Sequence, residues 1–177
     1  LWEYFSQWRV EVHGYALMNN HVHLILVPET RASLAKGVGR LHQDFARWQQ
    51  IQRDQTGHLW QNRFYSCPLD EDHLWKALRY IELNPVRARL VENAWQWPWS
   101  SAKAHVTGID ATGLLKMDLW RERFNGDRWR AFLEEGRREM LENDRLRLAI
   151  RTGRPLGSEE FIHRLEVLTG RSLRPKR

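Results

Sequence analysis

Residues 14–28 read GYALMNNHVHLILVP, and no other stretch narrows the possible folds as much. Val10 to Met18 and His21 to Val27 are rich in β-branched and aliphatic residues, which suit a pleated, half-buried surface. Asn19-Asn20 between them can supply the positive φ that a two-residue hairpin turn demands. Pro28 ends the second run. The stretch therefore predicts an antiparallel hairpin. Alternate side chains of a strand share a face, so His21 and His23 point the same way as Ile25 and Val27. Two imidazoles placed like this can grip one divalent metal. The same pattern fits two partly buried histidines bonded to backbone or water, and the motif alone leaves both readings open.

The rest of the chain reads mostly as helix. Residues 1–9 suit the last turns of a helix. Ser33 is a candidate cap for a helix reaching about Gln55, with Leu34, Val38, Leu41, Phe45 and Trp48 at helical spacing. TGHLWQNRFYSCPL follows as a loop and then a strand around Phe64 to Cys67. Asp70 is a good N-cap for the next helix, and Glu71 and Asp72 suit its positive end. Leu74, Ala77, Leu78 and Ile81 form that helix's apolar stripe, and Pro85 should end or kink it. Beyond the Trp-dense WQWPWSSAKAH, helical segments are predicted over roughly 118–124, 127–150 and 158–169. This order predicts an α+β body over residues 1–107 and a helical C-terminal extension over 108–177.

Composition sets the outer limits. A chain of 177 residues is long enough for one domain with a real core. No apolar run approaches the roughly 18 residues of a membrane helix, and the N-terminus has no basic segment leading into an apolar block. The lone Cys67 fits a reducing cytoplasm and excludes a zinc site built of cysteines. The chain opens on Leu1 rather than Met, which suggests a fragment. Charge is uneven: residues 1–144 hold 19 Lys/Arg and 19 Asp/Glu, while residues 145–177 hold 9 against 3. A basic tail on a neutral body suits a polyanion such as nucleic acid, and equally a solvated basic end.

On the helix after Asp70, His73, Lys76, Tyr80 and Asn84 share a polar strip beside the apolar stripe. Tyr80 lies about 110° from the centre of that stripe at helical rotation. It reads either as a boundary tyrosine with its hydroxyl in water or as a nucleophile. In the second reading Asn84, one turn on, lends a carbonyl oxygen to a metal held by the histidines.

The phrases YALMNNHVHLILVP, RYIELNPVRARLV and WPWSS, in that order, closely resemble the REP-associated tyrosine transposases. These are relatives of the single-tyrosine transposases of small insertion sequences, within the HUH endonucleases. The likeness runs from about Val10 to Ser101, with a looser one through TGRPLGSEEFIHRLEVLTGRSLRP. It implies a ferredoxin-like α+β fold with an antiparallel sheet and helices on one face. It also implies His21 and His23 as metal ligands, Asn84 as the third, and Tyr80 as the attacking residue. Family members usually begin with a further strand and a Gly-Thr-x-Tyr segment that helps bind hairpin DNA. Neither is present here, so a missing first strand is expected.

What the resemblance implies is a metal-dependent single-strand endonuclease and strand transferase, cleaving beside REP-like hairpins through a covalent phosphotyrosine. Two histidines and an amide suit Mg2+ or Mn2+ better than a closed structural zinc. His73 or Lys76 are candidates to help the phenol lose its proton. Trp60, Phe64 and Tyr65 are candidate stacking surfaces for bases, and Arg63, Arg79, Arg87 and Arg89 candidate phosphate contacts. Arg145, Arg147, Arg151, Arg154, Arg171 and Arg174 could follow DNA as positive charge. A monomer is expected, with a dimer possible. Two rivals remain: an idle or decayed DNA-binding module that recognises structured ends, and a metal-dependent hydrolase of small phosphoesters.

Overall fold

The computed structural model describes residues 2–54, 56–139 and 152–174. Its elements run α1 (Trp2–Gln7), β1 (Val10–Leu17), β2 (Val22–Pro28), α2 (Ser33–Arg53), α3 (Glu71–Glu82) and α4 (Asn84–Arg87). A 3-10 turn at Ala94–Gln96 leads to α5 (Ala102–Thr107), α6 (Asp118–Arg123), α7 (Gly126–Arg138) and α8 (Glu159–Thr169). The protein is α+β, with two antiparallel strands and a helical C-terminal part.

The hairpin forms in the predicted place by different turn chemistry. Val10 pairs with Pro28 and Leu17 with Val22, and the Met18 N–H donates to the His21 carbonyl at 2.9 Å. Among the described residues, positive φ outside glycine occurs at Arg9, Asp54 and Arg89. Asn19 and Asn20 thus turn the chain without the left-handed backbone expected of them. A bulge at His13 interrupts the pairing between Val12 and Gly14 and resets which side chains face which side.

That reset lets helices pack on both faces. Val10, Val12 and Tyr15 join Phe5 of α1 and Val38 of α2 in one cluster, with Leu24 and Leu26 against it. Ile25 points the other way, into a second cluster with Trp75, Leu78, Tyr80 and Ile81 of α3. The expected one-faced arrangement describes α1 and α2; α3 lies on the opposite face. Gly14 allows its close approach, because a Cβ there would collide with Leu78 Cδ1.

The second cluster continues through Ala102, Val106, Met117, Trp120, Trp129 and Leu133, so one core spans the boundary placed at 107–108. The outer edge of β1 is covered by residues from both sides of that boundary. Leu17 N–H donates to the Trp99 carbonyl at 2.8 Å, Ser101 N–H to Tyr15 at 3.0 Å, and Lys116 N–H to Val12 at 2.8 Å.

The strand expected around Phe64 to Cys67 does not form. Instead Leu69 makes an isolated parallel bridge with Leu156, and Leu156 N–H donates to the Pro68 carbonyl at 3.0 Å. Nearby, the Cys67 thiol donates to the Arg154 carbonyl at 2.8 Å. This stretch satisfies its backbone against the C-terminal segment rather than against the sheet. Ser33 is the first residue of α2 rather than its cap; its hydroxyl accepts from Thr30 N–H at 3.2 Å. The predicted helical residues 140–150 lie outside the described residues.

Candidate active site

The helix α3 is built to hold its polar strip still. Asp70 caps it, accepting from His73 N–H at 2.9 Å and from the His73 ring Nδ1 at 2.6 Å. The other Asp70 oxygen accepts from Ser158 N–H at 2.7 Å. Burial alone would raise the Asp70 pKa, but these hydrogen bonds outweigh it and hold the carboxyl below its usual range. His73, a candidate helper for the phenol, is thus tied to the cap. Lys76 is exposed. Pro85 cannot donate the N–H that would continue the helix, so α3 ends at Glu82 and the short α4 starts at Asn84.

Across from this strip stand the two histidines. His23, on β2 opposite Ala16, is half-buried, with its ring edge-on to His21 at 4.8 Å between centroids. The Tyr80 ring lies 6.5 Å from His23, again edge-on. Tyr80 is only 8% exposed, so it sits in the crevice between β2 and α3 and is not the water-facing boundary tyrosine of the simpler reading. Arg87 stacks over the Tyr80 ring, its guanidinium carbon 4.2 Å from the centroid. From there its Nη1 donates to Asn84 Oδ1 at 2.6 Å. Asn84 is buried, and its Nδ2 has no hydrogen-bond partner among the described residues.

Burial suits the His23 imidazole to offer a lone pair. Burial, then the neighbouring His21 and Arg87, push the His23 pKa down to about 4, so His23 is neutral at neutral pH. His21 is exposed, and its Nδ1 is paired with Asn20 Oδ1 at 2.6 Å. Asn20 Oδ1 can only accept, so His21 Nδ1 donates in this pair. Two imidazoles side by side, with the carbonyl oxygen of buried Asn84 one turn after Tyr80, are nitrogen and oxygen atoms of the kind a divalent ion takes.

The expected arginine contacts separate. Arg87 is at the site. Arg63 is exposed on the loop after α2, and Arg89 is exposed just beyond α4. Arg79 is not available as a phosphate contact: it is buried, lies over Phe132 with its guanidinium carbon 4.2 Å from the ring, and pairs with Glu135 and Glu139 at 3.4 and 2.7 Å. It docks α7 onto α3. Trp60 stacks on His42 of α2 at 4.2 Å, Phe64 stands edge-on to His42, and Tyr65 is exposed. Arg174 pairs with Glu159 and Glu166, Arg171 is exposed, and Arg145, Arg147 and Arg151 lie outside the described residues.

One buried group escaped the sequence reading. Glu82, two residues from both Tyr80 and Asn84, is fully buried and accepts from Ser101 Oγ at 2.5 Å, His105 Nδ1 at 2.6 Å and Trp129 Nε1 at 2.8 Å. It pins the α3–α4 junction to α5 and α7. The available signal was a carboxylate four residues after Leu78, on the helix's apolar face.

Residues 1–84 match the family described as Transposase IS200 like. His21, His23, Tyr80 and Asn84 all fall inside the matched segment, and Arg87 lies just past it. The N-terminal part of the chain is therefore similar to transposases, enzymes that bind and cut DNA. No curated protein and no solved structure matches the chain. No helix among the described residues is long and apolar enough to cross a membrane.

Proposed function

We propose that the chain is a metal-dependent single-stranded DNA endonuclease and strand transferase of the REP-associated type, acting beside DNA hairpins with Tyr80 as its nucleophile. The observation that carries this reading is the meeting of Tyr80 with His23 across the β2–α3 crevice, inside a segment that resembles transposases. His21, His23 and Asn84 would hold Mg2+ or Mn2+, which when bound supplies positive charge to the scissile phosphate. The chain's own groups do the rest. The Tyr80 phenol loses its proton as its oxygen attacks phosphorus, the bond from phosphorus to the leaving sugar oxygen breaks, and that oxygen takes up a proton, so protons balance. The strand stays attached to Tyr80 as a phosphodiester, which conserves the bond for rejoining to another end. Water in place of the phenol would lose it.

The test is incubation with a hairpin-tailed single strand and Mn2+, followed by denaturing electrophoresis. The unaltered chain should form a covalent adduct. Tyr80→Phe should still shift the DNA on a native gel but form none. An unaltered chain that shifts the DNA without ever nicking it would establish a binding module instead.

A further inference from the structure

Arg87 occupies an unexpected place for a simple surface phosphate contact. Its guanidinium is at hydrogen-bond distance from Asn84 Oδ1 and stacked on the Tyr80 ring. A positive group thus already sits among the donors that a divalent ion would use. The Asn84 oxygen has two lone pairs, yet an ion bound to one would face a fixed positive charge held on the other. Like charges brought this close inside a half-buried crevice repel strongly.

An arriving DNA phosphate changes the balance. Planar guanidinium groups bind phosphate oxygens in paired hydrogen bonds, and the stacking on Tyr80 keeps this one within reach of any phosphate presented to the phenol. We propose that Arg87 acts as a cation stand-in at the candidate site, so that a divalent ion binds tightly only when a DNA phosphate draws the guanidinium off Asn84. This rests on the function proposed above and adds an order to it: metal and DNA load together. An idling site then holds little metal, and Tyr80 is activated only beside a strand. By linkage, DNA must raise metal affinity by the same factor as metal raises DNA affinity.

The test measures Mn2+ binding by the electron paramagnetic resonance signal of the free ion, in the full chain carrying Tyr80→Phe so that bound DNA is not cut. Titrations are run with and without a hairpin-tailed single strand. The background chain should bind Mn2+ about tenfold or more tightly with DNA. Adding Arg87→Met should tighten Mn2+ binding without DNA and shrink the gain from DNA. Adding Arg87→Lys, which keeps the charge, should leave DNA-free binding weak; circular dichroism checks that both variants are folded. If Arg87→Met leaves DNA-free Mn2+ binding unchanged or weaker while the background chain binds the ion, the inference is overturned and the proposed function stands. If the background chain binds no Mn2+ with or without DNA, both fall together.

Discussion

At the scale of single residues, His23 shows how burial against a helix sets the proton state of an imidazole. Placed on β2 under α3, it loses solvent, and its pKa falls from 6.5 to about 4. The sign of the consequence follows. As pH drops from 6.5 towards 4 the unfolded chain takes up a proton that the folded one refuses, so stability is lost across that window. His13 and His42, lowered chiefly by burial, act in the same direction. Urea unfolding at several pH values should show the loss, and His23→Gln should remove up to about 3 kcal/mol of it. The same substitution should weaken Mn2+ binding at least tenfold, as about expected for a lost ligand. Strand alternation places His21 and His23 on one face and helix spacing places Tyr80 and Asn84 on one strip, because both are local rules; their roles came from the resemblance and not from the spacing. The direction of Arg79 was not legible in the sequence. Its partners, Glu135 and Glu139, lie more than fifty positions away, and helix spacing says nothing about which distant carboxylates an arginine meets.

Among the elements, α3 carries the account. Its start at Asp70 and its break at Pro85 were both readable, because capping and the missing proline N–H are local chemistry. What fixes it against the rest of the protein was not readable. Glu82 draws its three donors from Ser101, His105 and Trp129, a convergence that exists only after folding. Glu82→Ala leaves those donors without their acceptor in the core, and should cost about 3–5 kcal/mol in urea unfolding. Gly14 is the matching constraint from the strand side. Gly14→Ala should destabilise by about 1–3 kcal/mol through overpacking against buried Leu78. Leu78→Ala in the same chain should recover part of that loss, and a double-mutant cycle measures it. The hairpin itself was predicted correctly through turn geometry that does not occur, since the apolar pattern of the strands sets the pairing and Asn19-Asn20 only bridges it. The strand expected at residues 64–67 failed for a related reason: its backbone partner is the segment around Leu156, invisible to any short window.

At the scale of the whole molecule, the two halves divided at residue 107 share one core. Met117, Trp120, Trp129 and Leu133 from the second half pack with Leu78, Tyr80 and Ile81 from the first, and residues 99–101 and 116 cover the β1 edge. A chain cut after residue 107 should therefore fail to fold. Its circular dichroism should lack the helical signal and cooperative melting of the full protein; a cooperative melt near that of the full chain would show the first half to be self-sufficient. The C-terminal part thus serves the candidate site by buttressing α3, whatever its arginines do with DNA. The proposed function depends on one phenol among four tyrosines, at positions 4, 15, 65 and 80. Digestion of the protein–DNA adduct and mass spectrometry of the peptides would identify the attached residue. A nucleotide phosphate is expected on the peptide bearing Tyr80 and on no other. Attachment at Tyr4, Tyr15 or Tyr65, or cleaved DNA with no attached peptide at all, would contradict it.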